Sequence, residues 1–296
     1  MQKTRITPSF ALAFGLAFAT LACTAHAQQA ARSELSPEEL KLIQSISEQQ
    51  SAVKIVGGVE AGLNEFPFAA SFALPRPGGK FFSFCGGSLI SPEWVVTAAH
   101  CKINTSQKVI LGRQDLRTRD GVVHNIVQSI SHPSYDPQTN DFDIALVKID
   151  PPSSQPPIAL IAASGAFATP DLPFTIAGWG LLEEGGRASD VLMKVTVPVL
   201  SNTICQVKYD GTGVQITGNM LCAGQPGQDS CQGDSGGPGM VADTSQGILR
   251  LAGVVSFGIG CARPAFPGVY TRVSQFLPWI EEHTGVKPPE EGCDCE

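Results

Sequence analysis

The sequence has no basic run longer than a residue or two, and its net charge is −7. Phosphate binding draws on clustered Lys and Arg, so nucleic acid is excluded as a partner. Past the N-terminal stretch, no segment is long and apolar enough to cross a bilayer as a helix. Strongly periodic helical stretches are scarce, whereas Gly (31) and Pro (22) are abundant. That balance argues against a helical bundle and predicts many short strands joined by turns. None of Cys85, Cys101, Cys205, Cys222, Cys231 and Cys261 forms a CxxC unit, which removes the usual spacing of a structural zinc site.

What is present is enough for one large or two small globular cores: 296 residues, 43% hydrophobic and 16% charged. Lys3 and Arg5 precede an apolar run from Phe10 to Leu21, followed by Ala25-His26-Ala27. This reads as a secretory signal over 1–27, with the exported chain starting at Gln28. Cys23 raises lipid attachment as an alternative, for which Thr20-Leu21-Ala22 is a poor approach. The other cysteines form an even set, which in an exported protein argues for disulfides whose pairing spacing cannot assign. The polar stretch 28–54 contains Ser36-Pro37-Glu38-Glu39, a helix start running to about Gln50.

The body carries short strand-like runs at Phe66 to Leu74, Trp94 to Ala99, Lys108 to Leu111, Val122 to Ile130, Ile144 to Ile149, Leu192 to Leu200 and Leu249 to Phe257. Pro151 to Pro157 resembles a crossing between domains, and Ser274 to His283 reads as a terminal helix. Residues 285–296 form an acidic tail containing Cys293 and Cys295.

Gly233-Asp234-Ser235-Gly236-Gly237-Pro238 sets one hydroxyl among glycines. Glycine lets a backbone approach a substrate closely, and N–H groups of such a turn can converge on a developing oxyanion. A serine nucleophile needs a base, usually a histidine held by a carboxylate. His100, His124, His132 and His283 are candidates. Cys101 beside His100 could anchor that residue's backbone, but composition alone does not choose among the four.

Ile55-Val56-Gly57-Gly58, Thr97-Ala98-Ala99-His100-Cys101, Asp143-Ile144-Ala145-Leu146, Gly178-Trp179-Gly180, the Ser235 motif and Pro267-Gly268-Val269-Tyr270 occur in that order. In this the sequence resembles the trypsin-like serine proteases of the chymotrypsin fold, over about 55–284. The resemblance implies an all-β fold of two packed antiparallel six-stranded barrels with a C-terminal α-helix, the division falling near residue 160. It implies Ser235 as nucleophile, His100 as base and then acid, Asp143 as the residue that orients His100, and the N–H groups of Gly233 and Ser235 as the oxyanion hole. Asp141 is a nearby rival to Asp143.

The resemblance also places Asp229 at the floor of the primary specificity pocket, beside Ser230 and between walls at Gly258 and Gly268. A carboxylate there selects Arg or Lys, because burying it without a cation is costly. Phe257 departs from the tryptophan most members carry, which puts neighbouring subsites in doubt. Lys54-Ile55 reads as an activation junction, with the new Ile55 ammonium pairing with Asp234. Residues 28–54 are then an activation propeptide. The implied disulfides are Cys85–Cys101, Cys205–Cys222 and Cys231–Cys261.

No metal or cofactor is expected. Many trypsins hold calcium in a loop of the first barrel, but the corresponding stretch here carries Arg113, Arg117 and Arg119, which oppose a hard cation. The expected product is a monomer, secreted to the extracellular space (or to the periplasm of a Gram-negative cell), acting on proteins or peptides at Arg or Lys and open to protein protease inhibitors. Two other classes compete with this reading. A catalytically silent homologue would usually have lost a triad residue, whereas His100, Asp143 and Ser235 are all kept. An anchored surface module would be attached through Cys23 or the tail.

Overall fold

The computed structural model describes residues 58–166 and 168–289. The expected signal, propeptide, Lys54, Ile55, Cys293 and Cys295 lie outside them.

A first closed barrel is made of β2 (Ala69–Arg76), β3 (Lys80–Ser91), β4 (Trp94–Thr97), β5 (Lys108–Leu111), β6 (Val122–Ser131) and β7 (Ala145–Asp150), in the order β2-β3-β4-β7-β6-β5. Every pairing in it is antiparallel. Phe72, Leu89, Val95, Val96, Leu111, Ile144 and Leu146, on or beside its strands, are all essentially inaccessible to solvent.

The second sheet contains β9 (Pro173–Gly178), β10 (Met193–Leu200), β11 (Met220–Ala223), β12 (Pro238–Asp243), β13 (Ile248–Phe257) and β14 (Gly268–Arg272). They run β9-β10-β11-β14-β13-β12 and close by the pairing of β12 with β9. In β10, Val195, Val197 and Val199 point inward while Thr196 faces solvent, the period-two pattern of a half-buried strand. Phe174 and Tyr270 meet edge to face at 4.8 Å inside this barrel.

Two short strands extend the second sheet. β1 (Val59–Glu60) pairs with β10, and β8 (Ala159–Leu160) runs parallel to β13. The described residues therefore begin on the second sheet before building the first barrel. The crossing through 151–158 is tied first to one barrel and then to the other. Ser153 N–H donates to Pro92 O at 2.7 Å and Ile158 N–H to Leu89 O at 2.9 Å, and Ile161 N–H then reaches Leu251 O at 3.0 Å.

Two α-helices occur among the described residues: α1 (Asn202–Tyr209) and α2 (Leu277–Thr284). The Ser201 hydroxyl caps α1 by accepting from Ile204 N–H at 3.2 Å, and Cys205 and Tyr209 form its buried face. α2 buries Leu277 and Ile280 and ends at Gly285, whose left-handed backbone supplies the closing N–H to Glu281 O. No helix among the described residues is long and apolar enough to cross a membrane.

Candidate active site

Asp143 lies between β6 and β7 and is fully buried. Its Oδ2 is 2.7 Å from His100 Nδ1, and its Oδ1 accepts the His100 backbone N–H at 2.9 Å. His100 sits in the 3-10 turn Ala99–Cys101, just beyond β4. The second barrel completes the grip. The Ser256 hydroxyl on β13 donates to Asp143 Oδ2 at 2.5 Å, and the Thr271 hydroxyl on β14 donates to the Asp143 backbone carbonyl at 2.6 Å. Burial pushes the Asp143 carboxyl up; attraction to His100 and the hydrogen bonds from His100 and Ser256 outweigh that and hold it below the usual carboxylate range. Neither Ser256 nor Thr271 carries a local sequence signal for this role, each being an isolated hydroxyl on a strand.

The other candidates have different surroundings. His124 points into the first barrel with Nδ1 2.7 Å from Pro151 O. His132 stacks on Phe142 at 4.9 Å between ring centroids. The Nδ1 of His283 lies 2.9 Å from Trp279 O, within α2. Asp141, the rival acid, turns to the loop before β11, where its Oδ1 accepts from Thr217 Oγ1 and Asn219 Nδ2, each at 2.9 Å.

Ser235 is 2% exposed, in the loop leading to β12. Its carbonyl accepts the N–H of Gly86 at 2.7 Å, and Gly86 O accepts the Thr97 hydroxyl. The serine loop is thus stitched to β3 and to the end of β4, the strand that leads to His100. Around it, the amides of Asp234, Gly236 and Gly237 are committed to the carbonyls of Cys231, Val255 and Asp234.

Asp229 is 4% exposed. Its Oδ1 accepts from Ser230 N–H at 2.8 Å, and the backbone of Ala262 gives it a further hydrogen bond. Burial nevertheless pushes its carboxyl up to about 7, because these neutral donors offset only part of the lost hydration. Gly268 faces it, and a Cβ there would stand 2.6 Å from Oδ1. The Ser230 hydroxyl is 2.9 Å from the Tyr270 hydroxyl, and Gly258 follows β13 directly, buried. A cavity of 170 Å³ adjoins Asp229, walled by Gly224, Pro226, Ala262 and Phe266 and by none of His100, Asp143 and Ser235. Phe257 packs edge to face on Tyr209 at 6.3 Å.

The family model described as Trypsin matches residues 55–280. The chain belongs to the trypsin family. It is 41% identical over 233 residues to "Trypsin" of Saccharopolyspora erythraea, an alignment covering 77% of this chain and 97% of that one. It is 41% identical over 241 residues to "Trypsin-1" of Astacus astacus (77% and 98%), and 40% identical over 235 residues to "Anionic trypsin" of Bos taurus (77% and 89%). This trypsin-family chain is a serine protease, and its two closed barrels are those of the chymotrypsin-like fold.

Within that family frame, two disulfides are formed. Cys85–Cys101 ties β3 to the turn of His100, and Cys205–Cys222 ties α1 to β11. Each contributes about 2–4 kcal/mol. The structure also brings together the expected third pair, Cys231 and Cys261, both buried. Their buried sulfurs stand 2.6 Å apart, beyond the roughly 2.04 Å of a disulfide. The apposition is close enough that oxidation joins them with little backbone movement. In protein isolated under oxidising conditions and then denatured, alkylation should label neither cysteine until a reductant is added. Labelling of both without reductant would show a dithiol.

The trypsin-family calcium loop does not suit a hard cation here. The buried Arg113 points into it, its Nε donating to Asp120 O at 2.7 Å. Cys85, His100 and Cys101 are the only metal-like grouping among the described residues, and their two sulfurs are bonded to each other.

Proposed function

We propose that this chain is a secreted serine endopeptidase, made as a zymogen, that hydrolyses peptide bonds after Arg or Lys through Ser235, His100 and Asp143. The observation that carries the specificity is Asp229: a carboxylate nine-tenths removed from water, hydrogen-bonded to backbone N–H groups, and in no ion pair among the described residues. A guanidinium or ammonium from the substrate supplies the counter-charge that the fold leaves out.

In the proposed reaction Ser235 Oγ attacks the scissile carbonyl as His100 takes its proton. The carbonyl oxygen becomes negative and accepts from the N–H groups of Gly233 and Ser235. His100, now cationic beside Asp143, gives its proton to the departing amine, leaving an acyl-enzyme. A water then repeats the sequence and releases the acid. The Asp143 hydrogen bonds from both barrels support this role, because they fix His100 in one tautomer and stabilise its cation. Closing two barrels around one carboxylate makes the site depend on the whole fold.

Activation is cleavage between Lys54 and Ile55. The freed ammonium pairs with Asp234, which is fully buried and accepts from Gly180 N–H at 2.8 Å and Cys231 N–H at 2.9 Å. A Cβ on Gly180 would stand 2.3 Å from the Asp234 carboxylate, so the acid occupies a seat that only glycine leaves open. Residues 1–27 are the signal, 28–54 the propeptide and 285–296 a tail. The disulfides fit an oxidising, extracytoplasmic compartment.

The test is hydrolysis of paired short substrates, one ending in Arg and one in Phe, by protein cleaved after Lys54. Arg should be strongly preferred. A preference for Phe would keep the serine mechanism and overturn the pocket assignment.

A further inference from the structure

Glu184 belongs to the exposed loop between β9 and β10, yet its carboxylate grips the segment just after β13. It receives Arg263 Nε at 3.0 Å on Oε2, Arg263 Nη2 on Oε1, and Cys261 N–H on Oε2 at 3.3 Å. The Arg263 side chain lies directly over Gly260, where a Cβ would stand 2.0 Å from Nε. Between the two held residues is Ala262, in a left-handed conformation at φ +52. That conformation is disfavoured for a non-glycine residue and persists only when its neighbours hold it. Ala262 is also the residue whose backbone hydrogen-bonds Asp229, and its carbonyl accepts the N–H of Gly227. At the other end, the Glu184 loop is rooted at Gly180, whose N–H is on Asp234, and at Leu181, whose N–H is on Gln232 O at 2.8 Å.

We propose that Glu184, through its paired hydrogen bonds to Arg263 and Cys261, is a positioning residue of the primary pocket: it holds Ala262 against Asp229 and so sets affinity for the substrate cation. It touches neither the scissile bond nor the cation. The inference rests on the reading of Asp229 as the pocket acid. The geometry favours a real tie over a casual surface pair, because a planar guanidinium meets a carboxylate with both oxygens engaged and a backbone N–H joins the same oxygen. Both side chains are about half exposed, so salt should weaken the tie. The same segment links the acid proposed for activation to the acid proposed for specificity, through Gly180, Glu184 and Ala262.

The experiment uses enzyme cleaved after Lys54, with Glu184→Gln, Arg263→Gln and the double variant. It measures kcat and KM on an Arg substrate and the dissociation constant of benzamidine, at low and high NaCl. Each single variant should raise KM and the benzamidine constant about three- to fivefold, with kcat within about a factor of two. The double variant should be no worse than either single one, and the gap to wild type should close at high salt. Exchanging the charges (Glu184→Arg with Arg263→Glu) should recover much of the affinity. Unchanged affinity in the singles, simple addition in the double, or a loss confined to kcat overturns the tie. A wild-type enzyme that binds no benzamidine and prefers Phe overturns the pocket reading, and this inference with it. Wild type that binds benzamidine normally, with variants that match it, overturns only the role of Glu184.

Discussion

Ser235→Ala should lower kcat by about six orders of magnitude while substrate still binds. The change removes the proposed attacking oxygen. It leaves the serine loop in place, because that loop is held by backbone bonds: Ser235 O to Gly86 N–H, and the amides of Asp234, Gly236 and Gly237 to their own acceptors. The fold should therefore survive, with an unfolding midpoint close to wild type. Loss of activity with benzamidine binding intact is the expected pair of results. Residual hydrolysis within a hundredfold of wild type would sink the assignment of Ser235 as nucleophile.

The same variant tests how the precursor is opened. The residue before Ile55 is Lys54, which the proposed enzyme would accept as a substrate. A purified Ser235→Ala precursor should remain uncut at Lys54–Ile55, and a trace of active wild-type enzyme should open it. If the variant precursor alone is cut as fast as wild type, activation is not autocatalytic.

Asp229→Asn should cost about 10⁴-fold in kcat/KM on Arg and Lys substrates, with hydrolysis after apolar residues much less affected. It should also stabilise the fold. The Asp229 carboxyl is raised to about 7 from an ordinary 3.8. Folding therefore favours its protonated form, and that contribution is fully present below about pH 4 and lost as pH rises through about 7. The loss amounts to about 4 kcal/mol by pH 8. Asparagine is close to isosteric, carries no charge to desolvate, and can still accept from Ser230 and Ala262. The gain in unfolding free energy over wild type should be a few kcal/mol at pH 8 and should vanish below pH 4. Equal stability at pH 8 would mean that water reaches the carboxylate and that it titrates in the folded protein near its ordinary value.

Benzamidine reads the same group from the other side. Its cation needs the ionised carboxylate, so affinity should fall as pH drops below about 7. Asp229→Asn should bind weakly with no pH dependence over that range. Stability and specificity thus oppose one another at one residue, a cost commonly met where a site must hold an uncompensated group ready for its ligand.

Much of this protein is legible in the chain itself. The alternating Val195, Val197 and Val199, and the apolar run of β4, declare strands because side-chain direction in a strand is a local property. Lys108–Leu111 is a strand at the predicted limits. The terminal helix starts at Leu277 rather than at Ser274, because Val273–Gln275 forms a 3-10 turn first. The helix α1 has little sequence signature, its eight residues showing only Cys205 and Tyr209 as a buried face. Strand β3 is equally obscure in the sequence: Gly86-Gly87 has the form of turn punctuation, yet lies inside a twelve-residue strand.

The sequence by itself determined the family, the all-β class and the identity of His100, Asp143, Asp229 and Ser235 as the residues to watch. It could do so because His100, Asp143 and Ser235 each lie in a contiguous motif and Asp229 stands six residues before Ser235, so residue type and register carry the information. Only the tertiary structure decided what holds them. Ser256 and Thr271 reach Asp143 across 113 and 128 positions of chain, Glu184 reaches Arg263 across 79, and Asp141 is drawn away to Thr217 and Asn219. A hydrogen bond between residues so far apart depends on how two barrels pack and where their loops end. No periodicity, spacing or composition along a single chain encodes that.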